Sequence, residues 1–187
     1  MSPNNQIFLK HCAECSACPA SSCCYYEEDG FVMVGISAAK EIKEKTGLSY
    51  QEFLDFSPLP QALVEECRND FPNSEGRMRY EMLKDNRILR LKMKNNRCPF
   101  LNEKNACHIY PFKPLICTMF PFWYKTEEAE IKIVPHNPQT DCLFMENEKC
   151  VPDELHTHLK KVALAIEEEK EEYLKEIEHF VKENKLI

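Results

Sequence analysis

The chain has 187 residues, 43% of them hydrophobic, which is enough for one domain with a genuine core plus an appendage and rules out a disordered protein. A formal net charge of -7 removes any global pull toward nucleic acid or an anionic membrane. No stretch approaches the roughly 18 apolar residues that span a bilayer, and Met1-Ser2-Pro3-Asn4-Asn5-Gln6 lacks the basic start and apolar core of a signal segment, so the expected location is the cytoplasm.

In chain order, the first thirty residues hold five cysteines and few strong helix or strand formers. They read as a loop that needs something other than a hydrophobic core to order it. Phe31-Val32-Met33-Val34-Gly35-Ile36 has the β-branched and aromatic character of a strand, and Ser37 offers an N-cap for a short helix to about Lys45, which Gly47 ends. Ser49-x-x-Glu52 ahead of Phe53 and Leu54 is a capping-box pattern opening a second helix, closed by Pro58.

Leu63, Val64, Cys67 and Phe71 share one face of a third helix, from Pro60 to Asp70, with Pro72 as its stop. Residues 79–93 read as a hairpin around Asp85-Asn86, because Leu89, Leu91 and Met93 alternate with Arg90, Lys92 and Lys94. Ile131 and Ile133 alternate with charged residues in a further strand over 130–134. The tail from Pro152 to Lys185 reads as one long helix. Leu155, Leu159, Val162, Ile166, Tyr173, Ile177 and Val181 form its apolar stripe, with Glu171–Lys175 and Glu178–Lys182 as surface ion pairs and Glu167-Glu168-Glu169 as a solvated face.

The fold class expected is therefore α+β: a small antiparallel sheet, several short helices, cysteine-rich loops and a long C-terminal helix. The division expected is a cysteine-cluster domain over residues 1–151 and an amphipathic helix over 152–187 packed on it.

Eleven cysteines, none after Cys150, need a chemical reason in a reducing compartment, where structural disulfides do not persist. Metal binding or redox chemistry supplies it. The first block is Cys12-x2-Cys15-x2-Cys18-Pro19 followed by Cys23-Cys24. Two residues between cysteines let the chain turn back so that both sulfurs reach one ion at about 2.3 Å. The register is a partial match to half of a bacterial ferredoxin run. Adjacent cysteines such as Cys23 and Cys24 rarely aim both sulfurs at one centre, because neighbouring side chains diverge in extended backbone.

The second block is Cys98-Pro99-Phe100-Leu101, then Cys107-His108-Ile109-Tyr110, Pro114, Cys117 and Phe120-Pro121, with Cys142 further on. Its prolines stiffen the loops and remove backbone donors, which suits a fixed ligand cage. The aromatic run around Trp123 reads as core packing that would keep water from such a centre.

These residues resemble the YkgJ-type cysteine-cluster family, described by zinc or iron chelation and by a C-x2-C-x2-C-C signature. The family's downstream pattern, C-P-F-L and then C-x-I-Y-x-x-R-P-x-x-C-x-x-F-P, is similar to Cys98-Pro99-Phe100-Leu101 and to Cys107 through Pro121. The resemblance covers Cys12 to Cys142 and implies metal ligation by Cys12, Cys15, Cys18, Cys23, Cys24, Cys98, Cys107, Cys117 and Cys142. Two departures stand out: Lys113 takes the place of the family's Arg, and the spacing into Cys23-Cys24 is longer. Either Cys12 and Cys15 or Cys15 and Cys18 align with the leading C-x2-C.

The flagellin lysine methylase family is similar in its cysteine-rich region, which implies a link to methyl transfer. Two functional expectations follow. One is a metal-binding protein holding a zinc ion or an iron–sulfur cluster. The other is a cluster-dependent redox or protein-lysine methyl-transfer enzyme. No Gly-rich phosphate loop is present among only four glycines, no catalytic residue stands out, and no cofactor site beyond the metal ligands is expected. Neither nucleic acid nor membrane is expected as a partner, and a protein partner is left open.

Overall fold

The computed structural model describes residues 31–69, 81–103, 106–120, 122–127, 130–135 and 153–187. Phe31 to Gly35 runs extended into helix α1 (Ile36–Thr46), and Gly47 ends that helix in the left-handed region at φ 73°, its N–H donating to the Lys43 carbonyl. A glycine meets that geometry without a Cβ clash. The helix begins two residues earlier than the Ser37 cap predicts: Gly35 is the N-cap, and it has no side chain to offer.

Ser49 and Glu52 form the expected capping box, the Ser49 N–H donating to Glu52 at 2.8 Å. The helix it opens, α2 (Tyr50–Phe53), lasts a single turn rather than reaching Pro58. The next five residues are strand β1 (Leu54–Pro58). The reason lies in period-two alternation: Leu54 and Phe56 point into the core, while Asp55 and Ser57 face Arg90. Helix α3 (Gln61–Asn69) follows, close to the predicted bounds.

The turn at Asp85-Asn86 is where the sequence places it. Both residues have positive φ, 51° and 60°, as a two-residue hairpin turn of the I′ class requires. Among the described residues, the arm before the turn contributes only the bridge of Lys84 to Arg87. Strand β2 (Arg87–Leu91) instead pairs antiparallel with β1, in the register Phe56 opposite Leu89. On its other edge Val34 N–H donates to the Leu89 carbonyl and Leu91 N–H to that of Val32, so the predicted 31–36 strand is reduced to one bridge at Met33.

A second two-stranded antiparallel sheet joins β3 (Phe122–Glu127) to β4 (Glu130–Pro135). Its second strand is the one expected over 130–134. Its first is missed by alternation, because Phe122, Trp123 and Tyr124 are consecutive and all buried. The α+β class is as expected, with two small sheets among the described residues in place of one.

Between the sheets in the chain lie a 3₁₀ turn (Tyr110–Phe112) and the short helix α4 (Leu115–Met119), which begins after Pro114. The long helix α5 (Asp153–Glu183) runs unbroken for 31 residues. All seven stripe residues are buried, joined by Ala163 and Phe180. The helix packs against α1, α4 and both strands of the second sheet, which makes it the beam on which the other elements are assembled.

The acids of α5 correct the sequence reading. Glu168 is exposed, but Glu167 accepts a hydrogen bond from the buried Tyr124 hydroxyl at 2.6 Å, and Glu169 turns inward against Gly35. Consecutive helical positions are fanned about 100° apart, so three acids in a row cannot all share the solvent side. Glu178 likewise pairs with Lys84 across the fold rather than with Lys182.

Candidate metal centre

The described thiols Cys98, Cys107 and Cys117 sit in a 23-residue stretch, 97–119, built almost wholly from tight turns. The Leu101 N–H donates to the Cys98 carbonyl at 3.2 Å, closing a turn with Pro99 at its second position, where a fixed φ is pre-set. The chain then doubles back. Asn102 N–H donates to the Ala106 carbonyl at 3.0 Å and His108 N–H to that of Phe100 at 2.8 Å, leaving Cys107 opposite Leu101 in an antiparallel bridge.

A second turn begins at Cys107, whose carbonyl accepts from Tyr110 N–H at 3.3 Å. The third cysteine closes a turn instead of opening one: Cys117 N–H donates to the Pro114 carbonyl at 2.9 Å in the first turn of α4. Every cysteine of the segment is thus pinned by a backbone hydrogen bond at the end of a turn. Prolines at 99, 111 and 114 rigidify the same turns.

Arg97 braces the loop from within. Its guanidinium donates to the carbonyls of both Leu101 and Asn102, two consecutive residues on the outgoing arm of the doubled-back chain. A second two-residue turn holds Arg97 in place, with Asn95 and Asn96 at φ 51° and 59° and reciprocal backbone bonds between Lys94 and Arg97. Sequence reading missed this residue. Its signal was the Asn95-Asn96 pair just ahead of it, a turn dipeptide of the same kind as Asp85-Asn86.

The segment is fastened to the core by Phe100, whose ring lies 5.6 Å from that of Phe53, and by Ile109 and Met119, both almost fully buried. Cys98 is itself buried, while Cys107 and Cys117 are half-buried. Lys113, in the position of the family's Arg, lies with its ammonium 4.3 Å from the centroid of the Tyr110 ring. Burial, with Lys161 and Lys113 nearby, holds the His158 imidazole below its usual range.

Thiols fit a zinc or iron–sulfur centre by their chemistry, because soft sulfur donors are what both demand. Among the described residues, however, no group of three or more Cys, His, Asp or Glu side chains gathers as a metal site. Cys98, Cys107 and Cys117 therefore do not make a centre by themselves. Cys12, Cys15, Cys18, Cys23, Cys24 and Cys142 lie outside the described residues, as do Cys150 and the side chain of Cys67.

Residues 11–139 match the family model "CxxCxxCC: Putative zinc- or iron-chelating domain". The chain belongs to the CxxCxxCC family. The match takes in both cysteine blocks up to 139 and stops short of Cys142 and of α5. Metal binding is thus the family's description, and zinc or iron the metals it names. No curated protein and no solved structure is significantly similar to the chain, and the likeness to flagellin lysine methylases finds no support. No described helix is long and apolar enough to cross a membrane.

Proposed function

We propose that the protein holds a zinc ion or an iron–sulfur cluster through thiolates of both cysteine blocks. Cys98, Cys107 and Cys117 supply the rigid half of the ligand set. Cys12, Cys15, Cys18, Cys23, Cys24 and Cys142 are the pool from which the remaining donors come. The observation that carries this reading is the turn architecture of 97–119, where three thiols of a metal-chelating family are each fixed by a backbone bond and braced by Arg97. Fixed donors lower the ordering cost of binding, and thiolates of the other block would complete the set. A reducing compartment, the cytoplasm, is the setting in which such thiols stay available.

Elemental analysis and an absorption spectrum of protein purified without oxygen test the proposal. Stoichiometric zinc with no visible band, or stoichiometric iron with broad visible absorption, is the expected result. Cys107→Ser is expected to reduce metal content at least tenfold while leaving the far-ultraviolet helix signal of α5 in place. Wild-type protein with neither metal bound overturns the reading.

A further inference from the structure

Lys170 of α5 is a deeply set cation, its side chain only 12% exposed. Its ammonium meets Glu81 at 3.0 Å and one oxygen of Glu167 at 2.8 Å, while the other oxygen of Glu167 accepts from the buried Tyr124 hydroxyl at 2.6 Å. An ammonium has three donors, and the two carboxylates take two of them.

Glu169, its neighbour in sequence, turns the other way and lies against Gly35. A Cβ at position 35 would fall on the Glu169 carboxyl, so the close approach requires a glycine there. Among the described residues no ion pair reaches Glu169, not even from Lys170 beside it.

Glu169 and Lys170 share the wall of a cavity of about 20 Å³. Gly35, on which the Glu169 carboxyl rests, is part of the same wall. So is Met82, which follows Glu81, a partner of the Lys170 ammonium. Much of the remaining lining is apolar, with Met33 and Ile166 among it.

A cavity holds an ordered water when it has roughly 10–15 Å³ for it and offers at least two polar partners. This one has the room, and it has a donor in Lys170 and an acceptor in Glu169. Methionine and isoleucine side chains offer water nothing comparable, which confines a guest to the line between the two charges.

We infer that the cavity is a binding site for one ordered water molecule, which accepts a hydrogen bond from the Lys170 ammonium and donates one to the Glu169 carboxylate. A bridging water is enthalpically nearly as good as a direct bond, so it joins two groups that do not meet by themselves. The bridge brings Glu169 into the network of Glu81, Lys170, Glu167 and Tyr124. One chain of hydrogen bonds then runs from the second sheet, across α5, to the carboxyl seated at the start of α1. The site stands apart from the metal reading and does not depend on it.

A crystal structure of the full-length chain tests the site, together with solution NMR on protein labelled at its methionine methyls. Density for one water within about 2.7–3.2 Å of both Lys170 Nζ and a Glu169 carboxyl oxygen is expected. In solution, cross-peaks from a long-lived water to the methyls of Met33 and Met82 are expected. Lys170→Met removes the donor, keeps an apolar stem and is expected to abolish those cross-peaks. Should that protein not fold, Glu169→Leu removes the acceptor and is expected to do the same. An empty cavity or a direct ion pair between Lys170 and Glu169 overturns the inference, as do cross-peaks that survive Lys170→Met or Glu169→Leu at wild-type strength.

Discussion

The cysteine segment 97–119 and helix α5 represent opposite ways of fixing a polypeptide. The helix is 31 residues of one repeating geometry, and nine buried side chains along one face hold it to the rest of the protein. The cysteine segment has almost no repeating geometry. Its order comes from individual bonds: four turns, three prolines, one arginine and a few buried apolar anchors. Burial is distributed and tolerant of any one imperfect contact, whereas a chain of turns is only as firm as each link. A metal held by its thiols would add to the second region what α5 obtains from its apolar stripe.

The largest effect that probes this contrast is a cavity on the helix side. Leu159 is fully buried, and Leu159→Ala is expected to cost about 2–5 kcal/mol in urea-induced unfolding, with the whole protein losing stability together. A transition that splits, with the sheets surviving loss of α5, would break the view of the helix as the common beam.

A smaller effect is expected where the helix reaches into the first sheet. The Leu89 N–H donates to the Tyr173 hydroxyl at 3.0 Å in a buried site that pushes the phenol's ionisation upward. Tyr173→Phe leaves that backbone donor unpaired and is expected to cost about 1–3 kcal/mol by the same denaturation measurement, with no change in metal content. The smallest global effect belongs to the other region. Arg97→Lys removes the planar fork that reaches two carbonyls and is expected to cost about 1 kcal/mol or less overall. It should nonetheless raise amide exchange several-fold at Leu101, Asn102 and Ala106 and leave α5 untouched. Equal loosening of both regions would show that the contrast between them is not real.

The two regions also differed in how much of them the sequence revealed. The stripe of α5 was legible because one period repeats for eight turns, and Gly47, the Ser49–Glu52 box and Asp85-Asn86 were legible because turn and cap chemistry is local. Strand β1 was hidden by its own capping box, which starts a helix that tertiary pairing with β2 then cuts off. The run Phe122-Trp123-Tyr124 hid a strand because burial on both faces erases alternation. The cysteines announced a metal-binding family through type and spacing, but Arg97 was marked only by the Asn95-Asn96 turn pair ahead of it, since the carbonyls it reaches take their places in the folded chain.

The uncapped start of α1 has a kinetic corollary. Ser37 and Glu172 meet across 135 residues of chain, so α1 gains this tie only once α5 has been made. Contacts of such separation are slow to form because loop closure must precede any reward. The wait leaves an interval during synthesis in which Cys98, Cys107 and Cys117 are already made while the helix against which α4 packs is still missing.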